Sequence, residues 1–361
     1  MEQAPGPVTR INGKEYLYFA GTSYYNLHSH PEVIAAARQA MEMYGMNSAT
    51  TRNGYGTTPL LASLEKEAAA FFGTEQAVCV ASGYLTSMAG LGGMMHLNPF
   101  DIIFADQYAH YSIQMAANAL RIETVTFLHR DPADLEQKLR KHLKLRQRPV
   151  LVTDGIFAVY GDVAPLPQYL DILEPYDGWI WIDDAHASGV GGKTGKGTLE
   201  YYNMQSDRVY TGSTLSKAFG GFGGIVIGGR EFIQHIIGDP AMNGASLVPV
   251  PALAAAKKGI ELLSNHPEWR DMLSDNAGYL KTGLRKMGVD LNDSPAPIAA
   301  FTPDNESRMA SIQKELMKKG IAIQHIRYIG TPPAGALRIV VFSTHTQDQI
   351  DYLLNTLKTT L

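Results

Sequence analysis

The chain has 361 residues, 45% hydrophobic and 18% charged, with a formal net charge of −4. That length buries a large core and allows two domains, while the absence of a broad basic field argues against a nucleic-acid partner. Its single cysteine, Cys79, excludes an internal disulfide and fits a reducing, cytoplasmic setting.

Residues 1–7 lack the charged and apolar blocks of a secretory leader, and no apolar run approaches the ~20 residues of a membrane span. Residues 1–30 read as extended, with alternating aromatics over 14–20, and Pro31 suits the first turn of a helix that follows. A loop rich in Thr, Asn and Gly covers 47–58. Residues 59–72 then read as an amphipathic helix with Leu61, Leu64, Ala68 and Phe71 on one side.

From there short apolar runs alternate with helices. The candidate strands are 76–80, 102–105, 124–127, 150–153, 179–182, 208–211 and 224–227. They carry little polar alternation, so both faces should be covered, as in a mostly parallel seven-stranded sheet inside a three-layer α/β/α domain. Residues 224–227 follow their predecessor too closely for a crossover helix, so that strand is expected to run antiparallel. Cys79 lies within such a run and reads as a buried thiol. Past Asp239 the pattern changes to helices at 249–264, 268–287 and 347–357 and strands at 298–301, 321–324 and 337–342. The expected organisation is an N-terminal segment over 1–30 packing with the small domain, a large domain over 31–240, and a smaller α+β domain over 241–361.

Chemistry concentrates at the predicted strand ends. Lys217 stands among hydroxyls and glycines in Gly212-Ser213-Thr214-Leu215-Ser216-Lys217-Ala218-Phe219-Gly220. Small residues let a planar ligand approach, hydroxyls such as Thr214 can hold a phosphate, and partial burial frees a lysine amine for imine formation. A solvated turn lysine is the bland reading of the same run. Asp183 ends an apolar strand with His186 three residues on, where open α/β sheets bind ligands; the acid can pair with a pyridinium nitrogen or cap a helix. Ser82, Gly83 and Tyr84 sit at a strand-to-helix turn, a natural anion site. His110 and Asp154 end two further strands, and the imidazole can stack on a flat cofactor.

Other motifs fall away. Gly192-Lys193-Thr194 ends like a P-loop, but Ala187 occupies the position of the required first glycine. His28 and His30 have no cysteine or acid cluster beside them, so no metal site is expected. The basic run Lys138, Arg140, Lys141, Lys144, Arg146 and Arg148 reads as a solvated helix end, with a docking patch for CoA phosphates as the sharper reading.

In chain order the pieces are a phosphate site, a stacking ring, an acid for a ring nitrogen and an imine lysine. That order matches pyridoxal-phosphate enzymes of the aspartate-aminotransferase fold, and the chain resembles most closely their α-oxoamine synthases, from about Tyr16 onward. The strongest stretches are VTDGIFAVYGDVAP (152–165), IDDAHASGVGGKTGKG (182–197) and TGSTLSKAFGGFGG (211–224). The resemblance implies pyridoxal 5′-phosphate joined to Lys217, with Asp183 on the ring nitrogen, His186 on the phenolic oxygen and His110 stacked on the ring. It gives Ser82, Gly83, Tyr84 and Thr214 to the phosphate, Asp154 to the cofactor site, and Ser246 to the phosphate of a neighbouring subunit in a homodimer. Arg338 would grip an amino-acid carboxylate, with Thr22 and Asn53, the latter in the loop over 50–57, near the substrate. The implied reaction condenses a small amino acid with an acyl-CoA, usually with decarboxylation. The chain departs from the family at Thr22 (usually Asn), Ala158 (usually Ser), Tyr160 (usually acidic) and DAHASG over 184–189. An aminotransferase on the same scaffold is the second reading. A non-catalytic relative is the third, and the retained Lys217, Asp183, His186 and His110 argue against it.

Overall fold

The computed structural model describes the backbone of residues 1–361 and every side chain except those of Ala241 and Asn243. The chain opens with an antiparallel hairpin of β1 (Val8–Ile11) and β2 (Lys14–Tyr18). Its turn residues Asn12 and Gly13 have φ of 49° and 76°. Both positive angles belong to a two-residue turn whose twist matches the strands, and Asn-Gly adopts them at least cost.

The main sheet follows: β3 (Gln76–Val80), β4 (Ile102–Asp106), β5 (Glu123–Phe127), β6 (Pro149–Asp154), β7 (Trp179–Asp183), β8 (Val209–Thr214) and β9 (Gly224–Gly228). They lie in the order β3-β9-β8-β7-β6-β4-β5. β9 is antiparallel to both neighbours, as its short connection from β8 predicts; every other pairing is parallel. Period-two alternation covers both faces. In β3, Ala77 and Cys79 pack with the helix Pro59–Phe72, while Val78 and Val80 pack with Thr86–Leu97 on the other side. Cys79 is a buried free thiol, as its setting predicts. Register places Asp154 beside Asp183, and Asp183 beside Gly212, so three strand ends stand level.

The last third adds β10 (Ile298–Phe301), β11 (Ile321–Ala322), β12 (Gln324–Ile326) and β13 (Ala336–Val340). An antiparallel sheet runs β10-β13-β12, while β11 pairs in parallel with β2. The single strand expected over 321–324 is therefore two, with Ile323 as the buried residue where the chain changes sheets. Among the described residues no helix is long and apolar enough to cross a membrane.

Candidate active site

The strands that run parallel end on one side of the sheet, and the loops leaving them converge. Ser82, Gly83 and Tyr84 follow β3, His110 follows β4, Asp154 closes β6, Asp183 and His186 come from β7, and Thr214 and Lys217 from β8. All line one cavity of about 200 Å³, together with Ser112, Ala185, Ser216, Phe222 and Gly223.

The amine of Lys217 makes no hydrogen bond or ion pair among the described residues. Burial pushes its pKa down to about 8, against the pull of the Asp183 and Asp154 carboxylates, so a usable fraction is neutral near pH 7. Asp154 is held well above the usual carboxylate range, chiefly by burial and then by Asp183, although it accepts the His110 backbone N–H at 2.8 Å. His186 is buried and held well below its usual pKa by burial and by Lys217, so the ring is neutral. Its Nδ1 stands 2.7 Å from the hydroxyl of fully buried Tyr24. His110 caps the helix Tyr111–Leu120, and its Nδ1 contacts Ser112 Oγ at 2.6 Å. Asp183 Oδ1 accepts the Ala185 N–H at 3.0 Å, while the adjacent Asp184 is a structural group tied to the Thr198 N–H and hydroxyl.

At the opposite end, backbone and hydroxyls crowd together. A Cβ on Gly83 would stand 2.6 Å from Thr214 Oγ1, so only glycine lets these segments meet. The Tyr84 N–H donates to Ser82 Oγ at 3.2 Å, which leaves the Gly83 N–H without a partner among the described residues. Thr214 and Ser216 share a 2.8 Å hydroxyl contact there. An unpaired amine, a carboxylate and an imidazole around one end, with an open amide and hydroxyls at the other, suit a flat heterocycle bearing an aldehyde and a phosphate. No cluster of three His, Cys, Asp or Glu side chains suited to a metal occurs among the described residues.

Other expected residues lie elsewhere. Arg338, in β13, is buried; Nε donates to Ala158 O at 3.0 Å, and Nη1 to Gly21 O and Gln324 Oε1 at 3.3 and 3.1 Å. Its electrostatic influence reaches both Lys217 and His186. Thr22 adjoins the Gly21 carbonyl. Ala158 and Tyr160 line a separate small recess beside His110 and Asp154. Asn53 lines a wide cleft with Lys66 and Gln234, and Ser246 a neighbouring groove with Arg52 and Ala81; neither lines the cavity within this chain. The basic run over 138–148 immediately precedes β6, at the other end of that strand from Asp154, and does not line this cavity. His28 bonds Ser23 Oγ and Ser216 O and is structural.

Three participants escaped sequence reasoning. Ser112 had a local signal, a serine in the first turn of a helix. Tyr24 and Tyr328 had none: each meets its histidine across 162 and 218 residues respectively.

A profile of the aminotransferase class I and II family matches residues 16–357. An 8-amino-7-oxononanoate synthase of Bacillus subtilis is 32% identical over 363 residues, covering 100% of this chain and 92% of the relative. One from Alkaliphilus oremlandii is 31% identical, covering 96% and 88%. A serine palmitoyltransferase structure from S. paucimobilis, with bound PLP and myriocin, superposes with a TM-score of 0.90 at 26% identity, covering 100% of this chain and 91% of that one. An 8-amino-7-oxononanoate synthase from Francisella tularensis shares the fold, with a TM-score of 0.80 at 23% identity over 95% of this chain and 97% of that one. The chain belongs to the class I and II aminotransferase family, in its α-oxoamine synthase branch.

Proposed function

We propose that this protein is a pyridoxal-phosphate enzyme that joins a small α-amino acid to an acyl thioester. The observation that carries the reading is the convergence on one cavity of an unpaired, partly neutral lysine with Asp183, His186 and His110. Full-length relatives named 8-amino-7-oxononanoate synthase support the synthase outcome over amino transfer.

When bound, the cofactor supplies a protonated ring that withdraws electrons from the amino acid's α-carbon. The chain's own residues do the rest. Lys217 holds the cofactor through Nζ and, once released, moves the α-proton. Asp183 keeps the ring nitrogen protonated; Asp154, beside it, stiffens the wall through the His110 N–H. His186, oriented by Tyr24, bonds the phenolic oxygen, and His110 covers the ring face. Ser82, Gly83, Tyr84 and Thr214 hold the phosphate. Arg338 offers Nη2, the guanidinium nitrogen its protein contacts leave open, to the substrate carboxylate beside Thr22. In a homodimer with shared sites, Ser246 and Asn53, outside this chain's own cavity, would serve the partner's cavity. Residues 31–240 form the cofactor domain in this reading and 241–361 a smaller one that carries Arg338, with 1–30 packing against it through β2 and β11. A buried single thiol suits the cytoplasm.

The test adds glycine, alanine or serine with a panel of acyl-CoAs to the purified yellow protein. Free CoA released only when amino acid and thioester are both present is expected. Amino transfer to a keto acid without use of any thioester would overturn the reading. Sedimentation of a fully active monomer would overturn the shared site.

A further inference from the structure

Tyr328 lies between β12 and β13, far in sequence from the cofactor strands, yet its hydroxyl stands 2.7 Å from His110 Nε2. The direction of that bond is set from the other side of the ring. His110 Nδ1 accepts the Ser112 backbone N–H at 3.2 Å and lies 2.6 Å from Ser112 Oγ, whose proton then points at Nδ1 rather than at the more distant Asp183 Oδ2 (3.4 Å), so Nδ1 carries a lone pair. Burial lowers the His110 pKa, with Asp183 and Lys217 pulling in opposite directions, so the ring is neutral at pH 7. A neutral imidazole that accepts at Nδ1 has its one proton on Nε2. The Nε2–H therefore donates to the Tyr328 oxygen. The phenol keeps its own proton, and among the described residues nothing else receives it.

The surroundings fit a ligand there. The Tyr328 ring packs edge-on against Tyr111, with centroids 5.5 Å apart, and Tyr84 packs edge-on against His110 at 5.8 Å. Tyr84, Tyr111, Met115 and Tyr328 are all exposed, at 42%, 45%, 55% and 37%. They make a largely apolar wall: Tyr84 donates its hydroxyl proton to Met115 Sδ at 3.1 Å, and among the described residues the hydroxyls of Tyr111 and Tyr328 have no acceptor, of which only that of Tyr328 is fixed, by His110. Burial and the nearby Asp154 carboxylate hold that phenol above its usual pKa, so it stays a donor.

We propose that Tyr328 is a further catalytic residue, whose hydroxyl donates a hydrogen bond to the carbonyl oxygen of the acyl donor while Tyr84, Tyr111 and Met115 flank the acyl group. This rests on the acyl-transfer reading above. The carbonyl oxygen gains negative charge as its carbon is attacked, and a donor already in place stabilises that charge. Donation from His110 into the phenol oxygen makes the phenol a stronger donor in turn. No proton leaves Tyr328.

Tyr328→Phe keeps the ring and removes the hydroxyl. Binding of acetyl-CoA and palmitoyl-CoA to the holoenzyme is compared by calorimetry with that of S-ethyl-CoA and S-hexadecyl-CoA, thioethers without the carbonyl. The variant is expected to lose about 3–10-fold affinity for the thioesters and none for the thioethers. Its kcat should fall about 100-fold, with the amino-acid KM moving less than about twofold. Equal losses on both ligand types, or none on either, would overturn the proposal, and so would ¹⁵N shifts placing the His110 proton on Nδ1. A wild-type protein that binds neither ligand type would instead bring down the acyl-transfer reading, and this one with it.

Discussion

Lys217 is kept reactive at a cost to the fold. Its folded pKa of about 8 lies below the ordinary lysine value, so between about pH 8 and 10.5 the unfolded chain binds more protons, and stability rises with pH across that window. Below about pH 8 the penalty is present in full. Lys217→Met in the cofactor-free protein should therefore stabilise it at pH 7, by on the order of 2 kcal/mol after allowing for the open cavity. The gain should vanish by about pH 10.5; denaturant midpoints at the two pH values check this, and an equal gain at both would assign it to packing. Arg338 makes the complementary case. Its partners Ala158 O, Gly21 O and Gln324 Oε1 are all neutral, so its charge is left for a ligand. Arg338→Lys loses the planar fork and should raise the amino-acid KM by about 10–100-fold, with cofactor absorbance unchanged; an unaltered KM would remove Arg338 from the substrate.

At the scale of elements, the site exists because β3 and β8, separated only by the antiparallel β9, bring Gly83 against Thr214. Gly83→Ala puts a Cβ into Thr214 and should weaken cofactor retention by about tenfold or more, the loss of one good contact. Thr214 is buried, so the same clash should also lower the melting temperature of the cofactor-free protein; dialysis followed by absorbance measures the first and calorimetry the second. The strands of the main sheet were legible in the sequence because each is a short apolar run, and three of them end in a residue of the site, Asp154, Asp183 and Thr214. Residues 76–80 and 224–227 could be placed, the latter even in direction, from spacing alone. The first hairpin was not, although Asn12-Gly13 is a turn signal, because the polar residues of β2 leave half of it exposed. The break at Ile323 was hidden because one apolar run serves two sheets. Tyr24 and Tyr328 were invisible for a related reason: side chains that meet only through tertiary packing leave no periodicity behind.

Across the whole molecule, the two ends of the chain must close over the middle for Arg338 and Tyr328 to work, and a polar seam holds them there. Asn292, beyond the helix Glu268–Arg285, donates to Tyr160 O and Asp162 Oδ1 at 2.9 and 2.8 Å. Asp162 in turn meets Arg130 at 3.1 Å and His129 at 3.9 Å, and His129 Nδ1 bonds Asp106 at 2.8 Å. Burial alone would lower the His129 pKa, but Asp106 and Asp162 outweigh it and raise it above its usual value. Burial likewise opposes the ionised Asp162, yet His129, Asn292 and Arg130 hold it below the carboxylate range. The signs differ. His129 contributes stability in full below its unfolded pKa and loses it as pH rises through the raised folded value. Asp162 contributes above its unfolded pKa and loses it as pH falls through the lowered one. The seam is therefore strongest in mildly acid solution, between about pH 4 and 6.5. His129→Asn, which retains a polar side chain without the charge, should cost about 1–3 kcal/mol near pH 5.5 and progressively less as the solution turns alkaline. Urea midpoints of both proteins across that range would show the difference narrowing; a constant gap would mean that the ring, packed tilted against Tyr108 and edge-on to Phe157, acts by packing alone.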